Sequence, residues 1–164
     1  MAVFLSTYVN KVDRKGRVSI PAQFRQSLAK TSAPGTVYLW PSLNHQCLEG
    51  ADQDYLDILS DSLESPDLDA DEREMIETFI FGKLIPVSMD NEGRVSLPPA
   101  LAEFAGITEE ASFIGRRKTF QVWETKALQA HENALREQVV RKDISLSQIV
   151  AKASRGAAAR GEGA

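Results

Sequence analysis

Four cations stand within seven residues near the start of the chain: Lys11, Arg14, Lys15 and Arg17, with Asp13 among them. Clustered guanidinium and ammonium groups suit the phosphates and base edges of duplex DNA. Arginine offers a two-pronged donor to guanine O6 and N7, and lysine attracts phosphate. The spacing places these cations on a turn between two short strands, and a two-stranded ribbon enters the major groove. Lys15 and Arg17 are the candidates for base or phosphate contact, with Lys11 and Arg14 as electrostatic support. The plain alternative is a solvated turn. Asp13 would repel phosphate, so its expected role is to accept backbone N–H bonds in the turn or to orient an arginine.

Other reactive residues combine poorly. His45 and Cys47 lie two apart on a strand and could imitate a nucleophile pair, but no third orienting group accompanies them. Cys47 therefore reads as a half-buried small hydrophobe. His131-Glu132 lacks the second histidine of H-E-x-x-H. Asp67, Asp69 and Asp71 lack the glycine and terminal glutamate of a calcium loop, so no metal is expected. Neither a phosphate loop nor a dinucleotide glycine pattern is present. The expectation is a non-enzyme with no cofactor and no small-molecule substrate.

The basic cluster occurs inside a repeat. Residues 12–21 read VDRKGRVSIP and residues 89–98 read MDNEGRVSLP. At an offset of 77, six of ten positions are identical: Asp13/Asp90, Gly16/Gly93, Arg17/Arg94, Val18/Val95, Ser19/Ser96 and Pro21/Pro98. The second copy carries Asn91-Glu92 where the first has Arg14-Lys15. Arg94 therefore has two readings: it extends a DNA surface, or it pairs with an aspartate across a pseudo-twofold axis.

Each copy needs the same scaffold. An apolar lead-in (Tyr8–Val12, Leu84–Met89) meets a turn with Asp first and Gly fourth, a favoured β-turn arrangement. Gly16 and Gly93 are expected to supply a positive φ. The alternating strands Arg17–Ile20 and Arg94–Leu97 put Val18 and Ile20, and their counterparts, on one face. Proline then opens a helix, with Phe24 and Leu28 on one stripe in copy one and Leu101, Phe104 and Ala105 in copy two. Gly106 reads as a C-cap. Two further strands complete each copy, at 36–40 and 46–49, then at 111–115 and 119–123. Arg116-Arg117-Lys118 forms a second basic tip, either touching phosphate or a neighbour or simply solvated. Arg25 and Lys30 contribute field only. Helices are expected over 51–63 (stripe Tyr55, Ile58, Leu59, Leu63), 70–81 capped by Asp69 (Met75, Ile76, Phe79, Ile80), 125–142 and about 145–154. The expected organisation is a first repeat over 1–50, acidic connecting helices over 51–82, a second repeat over 83–124, C-terminal helices over 125–154 and a disordered tail over 155–164.

The paired D-x-x-x-R motifs, Asp13 to Arg17 and Asp90 to Arg94, each followed by proline and a helix, resemble the MraZ family over roughly residues 1–145. A single copy would suggest only the broader AbrB-like swapped-hairpin class; two at this separation are far more specific. The resemblance implies an α+β fold, in which two tandem AbrB-like strand and helix repeats form one intrachain double-hairpin β-barrel with flanking helices. It also implies a bacterial, nucleoid-associated transcriptional regulator. Such a protein binds tandem short repeats of double-stranded DNA upstream of its own division and cell-wall operon, usually as a repressor, and assembles into a homo-oligomeric ring of octamer or dodecamer size. The resemblance places DNA contact on the first loop.

Composition is compatible with this. The 164 residues are 43% hydrophobic and 26% charged, ordinary for a globular chain. The apolar runs fall far short of the ~20 residues a membrane helix needs, no cleavable leader is evident at the N-terminus, and the single cysteine forms no internal disulfide. A cytoplasmic protein is expected. The net charge of −4 is unevenly spread: residues 1–35 carry six cations against Asp13, whereas 49–77 carry twelve acids against Arg73. That acidic block cannot face DNA. It motivates the rival reading, an oligomeric protein-interaction module whose acidic helices bind a basic partner.

Overall fold

The Asp-x-x-Gly turns decide the topology, because each swings the chain out of one sheet and into another. The computed structural model describes residues 1–161. Its strands are β1 (Thr7–Lys11), β2 (Arg17–Ser19), β3 (Thr36–Pro41), β4 (Leu48–Ala51), β5 (Ile85–Ser88), β6 (Arg94–Ser96), β7 (Glu110–Gly115) and β8 (Phe120–Glu124). Its helices are α1 (Ala22–Leu28), α2 (Gln53–Ser62), α3 (Ala70–Ile76), α4 (Pro99–Ala105), α5 (Thr125–Arg141) and α6 (Leu146–Ala159). The equivalent elements β2 and β6, and α1 and α4, keep the sequence offset residue for residue. Residues Met1–Thr125 make one compact unit and Lys126–Ala164 a second.

In the first unit six strands form an antiparallel sheet in the order β1-β7-β8-β4-β3-β5. Exchanging the repeats reproduces that order from the other end. Each edge strand is donated by the opposite repeat: β1 pairs with β7, and β5 with β3. The short strands β2 and β6 leave the sheet and pair with each other, Val18 opposite Val95. The expected closed barrel is not seen as a continuous ladder. Among the described residues β1 and β5 remain edges, because the turns take β2 and β6 away and Pro21 and Pro98 end them after three residues. What is present is an α+β fold built on an antiparallel sheet.

The alternation predicted for these strands is observed. Val18, Ile20, Val95 and Leu97 are buried with Phe24, Leu28 and Leu101 from the helices. Phe4, Phe24, Phe113 and Phe120 form an aromatic cluster at the centre, with Phe4 5.0 Å from Phe120 and 5.1 Å from Phe24, both edge-on. Edge-on pairs at this distance add about 0.5–1.5 kcal/mol beyond the area they bury.

The acidic helices attach through a second, smaller core around Trp40, Ala51, Leu56 and Ile80. Asp52 is buried at the head of α2, accepting from the Tyr55 and Ala2 amides at 2.8 and 2.7 Å. The expected stripe on α2 is rotated slightly: Leu56 and Leu63 are buried and Ile58 faces out. The helix predicted over 70–81 is α-helical only to Ile76. Residues Glu77–Phe81 form one wider π-turn; Met75 and Phe79 are exposed and Ile80 is buried.

In the second unit, Ser145 caps α6 by accepting from the Gln148 amide, and the helix runs to Ala159. It enters the segment 155–164 expected as disordered, because Ala157, Ala158 and Ala159 favour helix enough to offset Gly156. The last three residues of that tail lie outside the described residues. Among the described residues no helix is long and apolar enough to cross a membrane.

Candidate nucleic-acid interface

The Asp13 carboxylate organises the first loop. One carboxylate oxygen accepts from the amides of Lys15 (2.9 Å) and Arg17 (2.8 Å); the other accepts from Arg17 Nε at 2.7 Å. Gly16, at φ +78°, donates its amide to the Asp13 carbonyl at 3.0 Å. The second loop repeats each bond. Asp90 accepts from the amides of Glu92 and Arg94 and from Arg94 Nε, while Gly93 adopts φ +76°. The D-x-x-G-R motif is thus a self-contained unit. The aspartate accepts from the amides two and four residues on and fixes the arginine that ends the turn.

Register carries this outward. Arg17 lies opposite Ser96, and Ser19 opposite Arg94. Val18 and Val95 point inward, so Arg17, Ser19, Arg94 and Ser96 share the outer face of the β2–β6 ribbon. The two arginines are separated by two residue steps, about 7 Å along the ribbon. Each donates Nε to its aspartate, an arrangement that holds the guanidinium plane. Arg14 and Lys15 are exposed at the turn, and Lys11 is exposed on the edge strand β1, opposite Glu110.

The two loops are not electrostatic equals. Arg94 forms its direct ion pair with its own Asp90, lies 3.3 Å from Glu92, and feels Asp13 of the other repeat at longer range. Arg17 has Asp13 at 2.7 Å and two exposed cations, Arg14 and Lys15, in the same turn. Cross-repeat backbone bonds tie the loops to the ribbon, Ile20 N–H to the Gly93 carbonyl and Leu97 N–H to the Gly16 carbonyl, both 2.9 Å. Arg25 is the site residue that the motif did not reveal. Its Nη1 donates to the Glu92 carbonyl at 3.1 Å. The signal available was its counterpart at the same offset, Ala102, which carries no charge.

The Arg17 amide holds the Asp13 carboxyl below its ordinary value, aided by the Arg17 side chain and the Lys15 amide. The Arg94 amide does the same for Asp90, aided by the Glu92 amide and the Arg94 side chain. A carboxyl lowered on folding stabilises the fold above its unfolded value, here 3.8, and that contribution is lost as pH falls through the lower folded value. The loops should therefore keep their form from neutrality down to that range and loosen only below it. Carbon-detected NMR titration of Asp13 and Asp90 should give midpoints under 3.8; midpoints at or above it would contradict these bonds.

The other basic tip sits elsewhere, at the β7–β8 turn, where Arg117 adopts φ +76° and exchanges backbone bonds with Phe4. Cys47 is fully buried, and desolvation, reinforced by Glu49, pushes its thiol up to about 12, which leaves it inert as a nucleophile. Among the described residues no three His, Cys, Asp or Glu side chains gather as a metal site.

Residues 80–148 match the family model described as "MraZ protein, putative antitoxin-like". A Rickettsia canadensis protein named Transcriptional regulator MraZ is 37% identical over 146 residues, spanning 89% of this chain and 97% of its own. A protein of the same name from Rickettsia akari is 40% identical over 131 residues, spanning 80% of this chain and 87% of its own.

Proposed function

The chain belongs to the MraZ family, and on that premise we propose that it is a transcriptional regulator binding specific double-stranded DNA through the first loop. The observation that carries this is the outer face of the β2–β6 ribbon, where Arg17 stands oriented by Asp13 beside exposed Arg14 and Lys15. Lys15 and Arg17 contact bases or phosphates, Lys11 and Arg14 add phosphate attraction, and Arg94 contributes a weaker, partly neutralised charge at the ribbon's far end. Asp13, Gly16, Asp90 and Gly93 shape the loops. The acidic helices stand off the DNA. In the full double-hairpin barrel of this reading, the β2–β6 ribbon covers the open side of the six-stranded sheet.

One such loop is a small contact set. Affinity then comes from repetition: a homo-oligomeric ring, of octamer or dodecamer size, presents several loops to tandem short repeats in the promoter of its own division and cell-wall operon. Linked engagement of this kind adds about 10²–10⁴ to affinity without new contacts. Repression of that operon, and a nucleoid-associated place in the cytoplasm, follow from the same reading. No cofactor takes part.

Fluorescence anisotropy tests it with three duplexes across a salt series: the native upstream region, the same region with one repeat left intact, and a shuffled control. Steeply salt-dependent binding that is strongest for the native duplex and collapses for the single repeat is expected. Equal affinity for one repeat and several would remove the avidity argument. Absence of binding to any duplex at low salt would favour the protein-interaction module, for which the acidic helices α2 and α3 are the available surface.

A further inference from the structure

The two loops share a motif and a hydrogen-bond pattern, yet they sit in different surroundings. Gly16 is half-exposed, and a Cβ built there would meet nothing nearer than the Leu97 carbonyl at 3.9 Å. Gly93 is buried beneath the Arg25 guanidinium. A Cβ at Gly93 would lie 2.1 Å from Arg25 Nη1 and 2.5 Å from its Cδ. Arg25 projects from α1, in the first repeat, and its Nη1 reaches the Glu92 carbonyl in the second. At the same offset α4 carries Ala102, so the first loop receives no such arm.

We propose that Arg25 is a positioning residue that makes the loops unequal, clamping the 90–93 loop as the fixed half of the ribbon and leaving the 13–16 loop as the half that adapts to DNA. The part concerning DNA rests on the regulator reading; the clamp itself does not. The chemistry supports a division of labour. A guanidinium spent on a backbone carbonyl holds a turn without contributing a free donor, and a charged donor to a carbonyl is stronger than a neutral one. The clamped loop carries Glu92, which shields Arg94, whereas the unclamped loop carries Arg14 and Lys15. Clamped and shielded features therefore coincide in one copy, and unclamped and cationic features in the other.

Amide hydrogen exchange on the full chain tests the clamp. In Arg25→Ala, exchange at Glu92, Gly93 and Arg94 should accelerate by about tenfold, the loss of one charge-assisted bond. Exchange at Lys15, Gly16 and Arg17 should not change, and Arg25→Lys should restore part of the protection. Equal acceleration in both loops, or none in either, would overturn the proposal. A second variant guards against simple unfolding: Gly93→Ala should lower the melting temperature more than Gly16→Ala, and adding Arg25→Ala should recover part of the difference. Absence of recovery would count against the clamp. Salt-dependent DNA titration separates positioning from contact. Arg25→Ala should weaken binding with an unchanged salt slope, whereas loss of a phosphate contact lowers the slope by about 1, and that outcome would reassign Arg25 to the DNA surface. If the unaltered chain binds no DNA, the regulator reading falls while the exchange pattern still decides the clamp.

Discussion

Arg17→Ala is expected to weaken binding to tandem-repeat DNA by about 100-fold or more while the oligomer persists. A two-pronged arginine contact discriminates by about 1–3 kcal/mol, and every subunit engaged on the DNA loses it together, so two engaged subunits reach that figure. Arg94→Ala should cost less, because Glu92 already offsets part of its charge. The informative companion is Asp13→Ala. Simple charge counting says that removing an acid beside phosphate tightens binding. The geometry says the reverse: the carboxylate holds the Lys15 and Arg17 amides and the Arg17 Nε, and without it the loop loses its form. Weaker binding is expected, with Asp13→Asn intermediate. Anisotropy titrations paired with size-exclusion chromatography measure both quantities. An Arg17→Ala variant that binds as well as the parent, or an Asp13→Ala variant that binds better, would remove this loop from the interface.

The largest loss of stability is expected from Gly115→Ala. A Cβ there would lie 2.4 Å from the Phe4 carbonyl carbon and oxygen and 2.5 Å from the Leu5 nitrogen. Those atoms are backbone, and they are held by the bonds between Phe4 and Arg117 and from the Gly115 amide to the Ser6 carbonyl. The segment must move, and Phe4 leaves the aromatic cluster with it. Removing a buried phenylalanine costs about 3–5 kcal/mol, a large part of the stability of a chain this size. Urea unfolding should show that loss. Phe4→Ala should show a similar one, and the double variant should fall well short of their sum, because both remove the same packing. A loss under about 1 kcal/mol for Gly115→Ala would mean that the segment yields cheaply.

Much of the site was legible because it is local. The spacing from Asp13 to Arg17 names the donor, the acceptor and the glycine that permits the turn, and recurrence at Asp90 to Arg94 names the pseudo-symmetry. The pairing of Val18 with Val95 follows once the ribbon is granted. The exchange of edge strands was not legible. Alternation identifies Thr7–Lys11 as a strand but says nothing of a partner at Glu110–Gly115. The π-turn at Glu77–Phe81 is not legible because periodicity assumes an unbroken 3.6-residue repeat. Gly156 masked the true length of α6, since a lone glycine tells less than the alanines around it. The positioning contact of Arg25 is not legible for a different reason. A cation on a helix reads as surface charge until the loop beneath it is known.

The exchanged edges also bear on how the chain is made. Thr7 pairs with Ile114, and Phe4 bridges to Arg117. Once made, β1 must therefore wait for roughly a hundred further residues, on the order of 5–20 s at ordinary synthesis rates. Until the second repeat emerges, β1, β2, β3 and β4 each lack the partner that β7, β6, β5 and β8 later supply, and Phe4 has only Phe24 of its aromatic cluster. Nascent chains on one message are then each other's nearest source of a matching strand. Translation speed across residues 85–115 sets how long that choice stays open.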